Sequence, residues 1–251
     1  MRRRSHTPSP LRRAAPAIAA LTLAALAVPV LYLIAGRQRN RDLDGPDSVY
    51  LTPPTPVSNK HAAAPADLLP SAVGNRWLMS VKADDKTSSE EITVVGTRTV
   101  GGRVGKVFET RRDGKPMWQE VYQVDKGGVR LLAVGKRAEV SVVPPMPLLN
   151  YPPVDGTVLH WRGEFRSGRS AANPAQALSR INGPIRMRTY AGSTRVYKVD
   201  TVLTVTAGGR QRQFPSRQWI APGIGAVAHQ SIVENRLVQR ELKRFRQTAR
   251  R

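Results

Sequence analysis

No cysteine occurs anywhere in the chain. That excludes disulfides and thiolate metal sites. It also excludes the lipidated cysteine by which a bacterial lipoprotein is held. Acidic residues are scarce as well: 18 Asp and Glu stand against 40 Lys and Arg, a formal net charge of +22. Histidine is limited to His6, His61, His160 and His229. No Gly-x-Ser-x-Gly elbow exists, so the nucleophile turn of the α/β-hydrolases is absent. The glycine-rich stretch Gly101-Gly102-Arg103-Val104-Gly105-Lys106 fails as a phosphate loop. Such a loop needs a glycine five residues before the Gly-Lys pair and Ser or Thr after it, whereas these positions hold Val100 and Val107. A hairpin turn accounts for the glycines instead.

Charge is also missing from one long stretch. Residues 14–36 form an uninterrupted uncharged run, AAPAIAALTLAALAVPVLYLIAG. A bilayer core needs about 20 apolar residues to be spanned as a helix, and Pro16 and Pro29 are tolerated in such a helix. The run exceeds the apolar core of a secretory signal, about 7 to 15 residues. It ends in Ile34-Ala35-Gly36 before Arg37, a poor cleavage site, and Ala25-Leu26-Ala27 lies inside it. Arg12-Arg13 lacks the flanking residues of a twin-arginine signal. An uncleaved signal-anchor is expected. Arg2, Arg3, Arg4, Arg12 and Arg13 precede it, and Arg37, Arg39 and Arg41 follow. This bias places the N-terminus inside and the remainder outside the cytoplasm.

The expected division is therefore a basic cytoplasmic tail at 1–13, the membrane helix at 14–36, a proline-rich spacer at 37–68, an antiparallel β domain at 69–245 and a basic tail at 246–251. About 180 residues suffice for one domain with its own core. Beyond residue 41 the net charge is +14. Two causes compete for that excess: arginine-favouring codon bias, or an anionic partner such as lipid head groups, a wall polymer or nucleic acid. Were the domain cytoplasmic, the same charge would read as a nucleic-acid footprint.

Past residue 69 short apolar–polar runs alternate with turn residues. Strands are predicted at 77–83, 91–97, 104–111, 117–124, 129–134, 140–143, 158–165, 185–190, 194–206, 212–220 and 226–233. Val, Thr, Tyr and Trp enrich these runs. Asp113-Gly114, Gly127-Gly128, Asp155-Gly156 and Gly208-Gly209 supply hairpin chemistry. No long helix fits between the strands, so one antiparallel meander is expected. The proline-rich stretch 144–153 is excluded as a central strand, because proline donates no ladder hydrogen bond. Residues 166–183 read as a long polar loop with a short helix start at Asn173. Residues 235–251 fit either a helix or a strand. Leu69 to Trp77 and Tyr151 to Trp161 share a proline, a valine, a glycine turn and a tryptophan-bearing strand, a weak internal repeat with halves beginning near 69 and 151.

The opening Pro70-Ser71-Ala72-Val73-Gly74-Asn75-Arg76-Trp77 and the late Trp219-Ile220-Ala221-Pro222-Gly223-Ile224-Gly225-Ala226-Val227 resemble the motifs of a family of uncharacterised bacterial exported proteins, often lipoproteins. Leu68 and Leu69 stand where the family has aromatics. The resemblance spans about 69–245. It implies a single, strongly curved antiparallel sheet, half-barrel-like, on the outer side of the membrane, and it supplies no activity. The fold class expected is mainly β, preceded by one transmembrane helix.

Candidate site residues are few. Trp77, Trp118, Trp161 and Trp219 are core residues or, on the concave face of a half-barrel, the lining of an apolar ligand site. His160 and His229 could hold a metal only with Glu164 or Asp200, and nothing in the sequence brings these together; no metal and no cofactor are expected. Asp84-Asp85 and Glu90-Glu91 flank a turn and read as solvated charges. Arg236, Arg240, Lys243, Arg244, Arg246, Arg250 and Arg251, against Glu241 alone, form the densest basic cluster of the domain, a candidate contact for an anionic surface. The sequence thus points to a non-enzymatic, membrane-anchored module of the cell envelope that binds a lipid, an apolar segment or an envelope polymer. The alternative is an assembly subunit that docks envelope proteins.

Overall fold

The computed structural model describes residues 68–168, 172–190, 192–233 and 236–248. The expected anchor at 14–36, the tail before it, all of the spacer but Leu68, and the terminal Arg250 and Arg251 lie outside them. No helix among the described residues is long and apolar enough to cross a membrane.

Twelve strands follow one another: β1 (Arg76–Ala83), β2 (Lys86–Val100), β3 (Arg103–Arg112), β4 (Lys115–Asp125), β5 (Gly128–Gly135), β6 (Val140–Asn150), β7 (Val158–Ser167), β8 (Asn173–Thr189), β9 (Gly192–Ala207), β10 (Arg210–Ala221), β11 (Gly225–Val233) and β12 (Arg236–Arg246). Each pairs antiparallel with its sequence neighbours, and β12 pairs with β1 from Arg246 opposite Arg76 to Val238 opposite Ala83. The sheet is a closed barrel. The half-barrel expectation is corrected on this point, since the first and last strands satisfy each other's edges and leave no open concave face.

Side chains alternate across each strand, which selects the core. Trp77, Met79 and Val81 of β1 are buried together with Ile92 and Val94 of β2. On β8 the alternation is Ala175, Ala177, Ser179 and Ile181 inward, with Gln176, Leu178 and Arg180 outward. The first part of that strand, 173–183, occupies the stretch read as a polar loop with a helix start, and its second part is the strand predicted at 185–190. In the first part the inward Ala175, Ala177 and Ser179 are small, so the apolar contrast that marks a strand is weak. The C-terminal stretch is strand β12.

The proline-rich stretch is also strand at its start, as β6, but with a one-sided ladder. Met146, Pro147, Leu149 and Asn150 pair with β5, whereas pairing with β7 stops at Val143 opposite Glu164. Pro144, Pro145 and Pro147 cannot donate across that gap. The result is a seam in the wall, bridged by Trp161, whose indole N–H donates to the Pro144 carbonyl at 2.9 Å.

The seam divides the barrel into two six-stranded halves with matching backbone hydrogen bonds. In the first half the Gly74 N–H donates to Val94, the Asn75 N–H to Ala72 and the Val94 N–H to Asn75. In the second the Gly156 N–H donates to Ile181, the Thr157 N–H to Val154 and the Ile181 N–H to Thr157. Both glycines have positive φ, 91° and 75°, a conformation that favours glycine and sets this turn. Register shifts follow at matching places, between Val94 and Gly96 and between Asn182 and Ile185. The internal repeat is thus present in the backbone. The tryptophans are not at equivalent places: Leu159 holds the position of Trp77, and Trp161 lies two residues on.

Because all neighbours are antiparallel, the connections fall at two ends. The chain enters β1 and leaves β12 at one end, called proximal here. The β2–β3, β4–β5, β6–β7, β8–β9 and β10–β11 connections are also there. The remaining hairpins lie at the distal end.

Candidate functional site

Two features stand out inside the barrel, one at its proximal mouth and one deeper. At the mouth the chain arrives as Leu68 and Leu69, both buried. They face Val129, Leu148, Leu149, Gln218, Ile220 and Ala226 around a small, mainly apolar cleft. Asn75 is fully buried and fixes this arrival. Its amide donates to the Pro70 carbonyl at 3.2 Å, and its side-chain oxygen accepts the Thr248 N–H at 2.8 Å. Trp77 is buried against Phe245, with ring centroids 4.9 Å apart, and against Phe108 at 5.7 Å. Its indole N–H donates to the Ile224 carbonyl at 2.6 Å. Trp77 belongs to the opening motif and Ile224 to the late one, so the two motifs singled out in the sequence meet at the mouth. Ala221-Pro222-Gly223-Ile224-Gly225 is the corner between β10 and β11, as its proline and glycines predict.

Deeper in, charged groups are buried. Glu90 lies in the barrel wall with its carboxylate between Arg112, at 2.6 Å, and Arg240, at 3.1 Å. Arg240 pairs in register with Val81 on one side and His229 on the other, so it points inward with them. Its side chain is 3% exposed, and Glu90's is 0%. Glu90 is therefore not the solvated turn charge expected, and Arg240 is not part of a surface cluster. A period-two signal was present in the sequence: Glu90 shares a strand face with Ile92 and Val94, and Arg240 with Leu242. Glu120 and Tyr122, both buried, form a second polar pair that nothing in the sequence marks, with the phenol donating to Glu120 at 2.6 Å.

Trp77, Trp161 and Trp219 belong to one buried core cluster, and Trp118 packs against it. Trp161 is buried edge-on to Phe165. Trp219 is buried beside the Arg217 guanidinium, which pairs with Asp200 at 2.6 Å. Trp118 is partly buried against the core. The basic C-terminal residues are spread out. Arg236 is at the distal end, 3.6 Å from Asp84, Lys243 pairs with Glu241 at 3.0 Å, and Arg244 and Arg246 are exposed at the proximal end. A strand advances about 3.3 Å per residue, so closeness in sequence became separation along β12. His160 is exposed on β7 and His229 is buried on β11. The carboxylates weighed as metal ligands are held by arginines, Glu164 by Arg166 and Asp200 by Arg217. Among the described residues no group of three or more His, Cys, Asp or Glu side chains is placed to hold a metal.

No family model matches the chain, and no curated protein matches it in sequence. Among solved structures it is similar to a candidate exported protein with YmcC-like fold from Bacteroides fragilis, at 14% identity and a TM-score of 0.46, covering 70% of this chain and 97% of that one. A candidate lipoprotein from Parabacteroides distasonis is similar at 11% identity and a TM-score of 0.48, covering 70% and 96%. The hypothetical lipoprotein YmcC from Escherichia coli is similar at 8% identity and a TM-score of 0.35, covering 68% and 87%.

The Tyr122 pair carries a pH signature. Burial, then the Glu120 charge and its hydrogen bond, push the Tyr122 phenol well above its ordinary value of 10.0. The unfolded chain therefore ionises this group first. Its contribution to stability is whole below pH 10.0 and is lost as pH rises toward the folded-state value. The decline is about 1.4 kcal/mol per pH unit. Urea midpoints between about pH 9 and pH 11 should fall less steeply in Tyr122→Phe than in the parent. Equal slopes would show that Tyr122 ionises normally.

Proposed function

We propose that this protein is a non-catalytic, membrane-anchored module of the cell envelope whose barrel mouth accepts an apolar chain segment. The observation that carries it is the mouth itself. Leu68 and Leu69, where the spacer meets the barrel, are buried at the mouth and line a mainly apolar space with Val129, Leu148, Leu149, Gln218, Ile220 and Ala226. A lipid chain or an apolar peptide segment has the chemistry to take their place. The anchoring rests on the uncharged run 14–36 and on the arginine bias around it, and the envelope location also on the motif resemblance.

A photoactivatable fatty acid presented to the full chain in nanodiscs tests this. Adducts are expected on peptides containing Leu148-Leu149 and Ile220, and they should increase severalfold when Leu68→Ser and Leu69→Ser vacate the mouth. Adducts confined to 14–36 in both proteins would sink the proposal.

One observation favours the second reading, an assembly subunit. Along the seam, residues 158–163 of β7 have no ladder partner on the β6 side. An extended strand of an envelope protein could add at that edge.

A further inference from the structure

The exposed apolar side chains are not spread evenly over the barrel. Val73, Val104, Val154, Val158 and Tyr190 are each at least 40% exposed, and all five lie at the proximal end, in or beside its connections. The distal connections carry no exposed large hydrophobic residue among the described ones. The others, Val95, Val143, Leu178 and Val202, are on the wall. Isolated exposed valines are ordinary on a soluble surface; their concentration at one end of a barrel is not.

Charge at the same end is positive and available. Arg103, Lys126, Arg188, Arg244 and Arg246 are exposed there. Its two acidic side chains are engaged: Asp125 accepts from Arg130 at 2.9 Å and from the Gly127 N–H at 2.8 Å, and Asp155 accepts the Gly183 N–H at 2.8 Å. The distal end has exposed cations as well, Lys86, Lys115, Lys136 and Arg210, but they stand among the exposed acids Asp84, Asp85, Asp113 and Glu139, and Arg236 is paired with Asp84 at 3.6 Å.

The chain also enters at this end. Residues 37–67 connect the uncharged run 14–36 to Leu68. A spacer of that length and proline content could hold the barrel well away from the bilayer, so the tether alone does not decide how the barrel stands. The surface does. Exposed apolar side chains among unpaired cations are what an anionic membrane interface attracts.

We propose that the proximal end of the barrel lies on the anionic surface of the membrane in which residues 14–36 are anchored. Val104, Val154 and Tyr190 enter the headgroup layer, and Arg103, Arg188 and Arg246 contact lipid phosphates. The barrel then stands upright, with its mouth toward the bilayer and its distal hairpins away from it. This rests on the anchoring proposed above.

The absence of cysteine makes the test direct. Single cysteines are introduced into the full chain at the proximal end (Val104→Cys, Val154→Cys, Tyr190→Cys) and at the distal end (Asp85→Cys, Lys115→Cys). Each is labelled with an environment-sensitive fluorophore and reconstituted into phosphatidylcholine vesicles with and without phosphatidylglycerol, with nitroxide lipids as quenchers. Interfacial side chains sit about 5–10 Å into the headgroup boundary, so proximal labels should be quenched at least about threefold more than distal ones. The difference should shrink without phosphatidylglycerol and in high salt. Adding Val104→Asp and Val154→Asp should lower quenching at position 190 while the thermal melt is kept.

Protein that floats with vesicles but shows equal quenching at both ends, or stronger quenching at the distal end, overturns this orientation and leaves the anchor intact. Proximal quenching that is indifferent to phosphatidylglycerol overturns the anionic component. Protein that does not float overturns both the orientation and the anchoring.

Discussion

Trp77→Ala should destabilise the barrel by about 5 kcal/mol, the upper end of the range for truncating a buried aromatic residue. Domains of this size are stable by only about 5–15 kcal/mol, so the variant would be close to unfolding. Three losses combine. The Phe245 and Phe108 rings lose their partner. A cavity opens where nothing can collapse, because β12 and β2 flank β1 on both sides. The Ile224 carbonyl loses its donor. Trp77→Phe separates the last from the others and should cost about 1–2 kcal/mol, the penalty for losing one partly buried hydrogen bond. Urea unfolding of the three proteins gives both figures. A loss below about 2 kcal/mol for the alanine variant would mean that the mouth repacks, contrary to the geometry described here.

Glu90→Leu should cost about 3–5 kcal/mol, because it leaves the Arg240 guanidinium in the wall without a counter-charge. Arg112 is 26% exposed and can turn to water, whereas Arg240 cannot. The second substitution Arg240→Met should therefore restore most of the loss, since replacing both members of a buried pair by apolar groups is often neutral. A double variant as unstable as the sum of the singles would show that the pair is not coupled.

The positions of turns were legible in the sequence because their chemistry is local. Gly101-Gly102, Asp113-Gly114 and Gly208-Gly209 each join the strands they were expected to join. Strands with bulky alternating residues, such as β1 and β4, were equally plain. The first half of β8 was not, because Ala175, Ala177 and Ser179 give little contrast to the residues between them. Closure was not legible either. It depends on Arg76 finding Arg246 across the whole domain, and no local pattern encodes that. At the candidate site, the two motifs were visible as turns, but their meeting through Trp77 and Ile224 is a long-range event. The buried Glu90–Arg240 pair was hidden for a different reason. A charged residue next to a turn is usually solvated, an expectation that outweighs Glu90's period-two phase with Ile92, and its pairing with Met79 shows that it faces inward.

The two-halved backbone also bears on how the chain reaches its native state. Within each half, every strand pairs with the one synthesised just before it, so six-stranded sheets can grow by short loop closures. The halves are joined by the short β6–β7 ladder, and only the β1–β12 ladder brings distant parts of the chain together. Long closures are slow because chain entropy is spent before the contacts form. Circularisation is then the late event: two open sheets form early, and the barrel exists only once their outer edges join. Until then both edges are exposed templates for pairing with other chains. In the closed ring the Trp77 indole, bonded to the Ile224 carbonyl, ties β1 to the β10–β11 corner across the mouth.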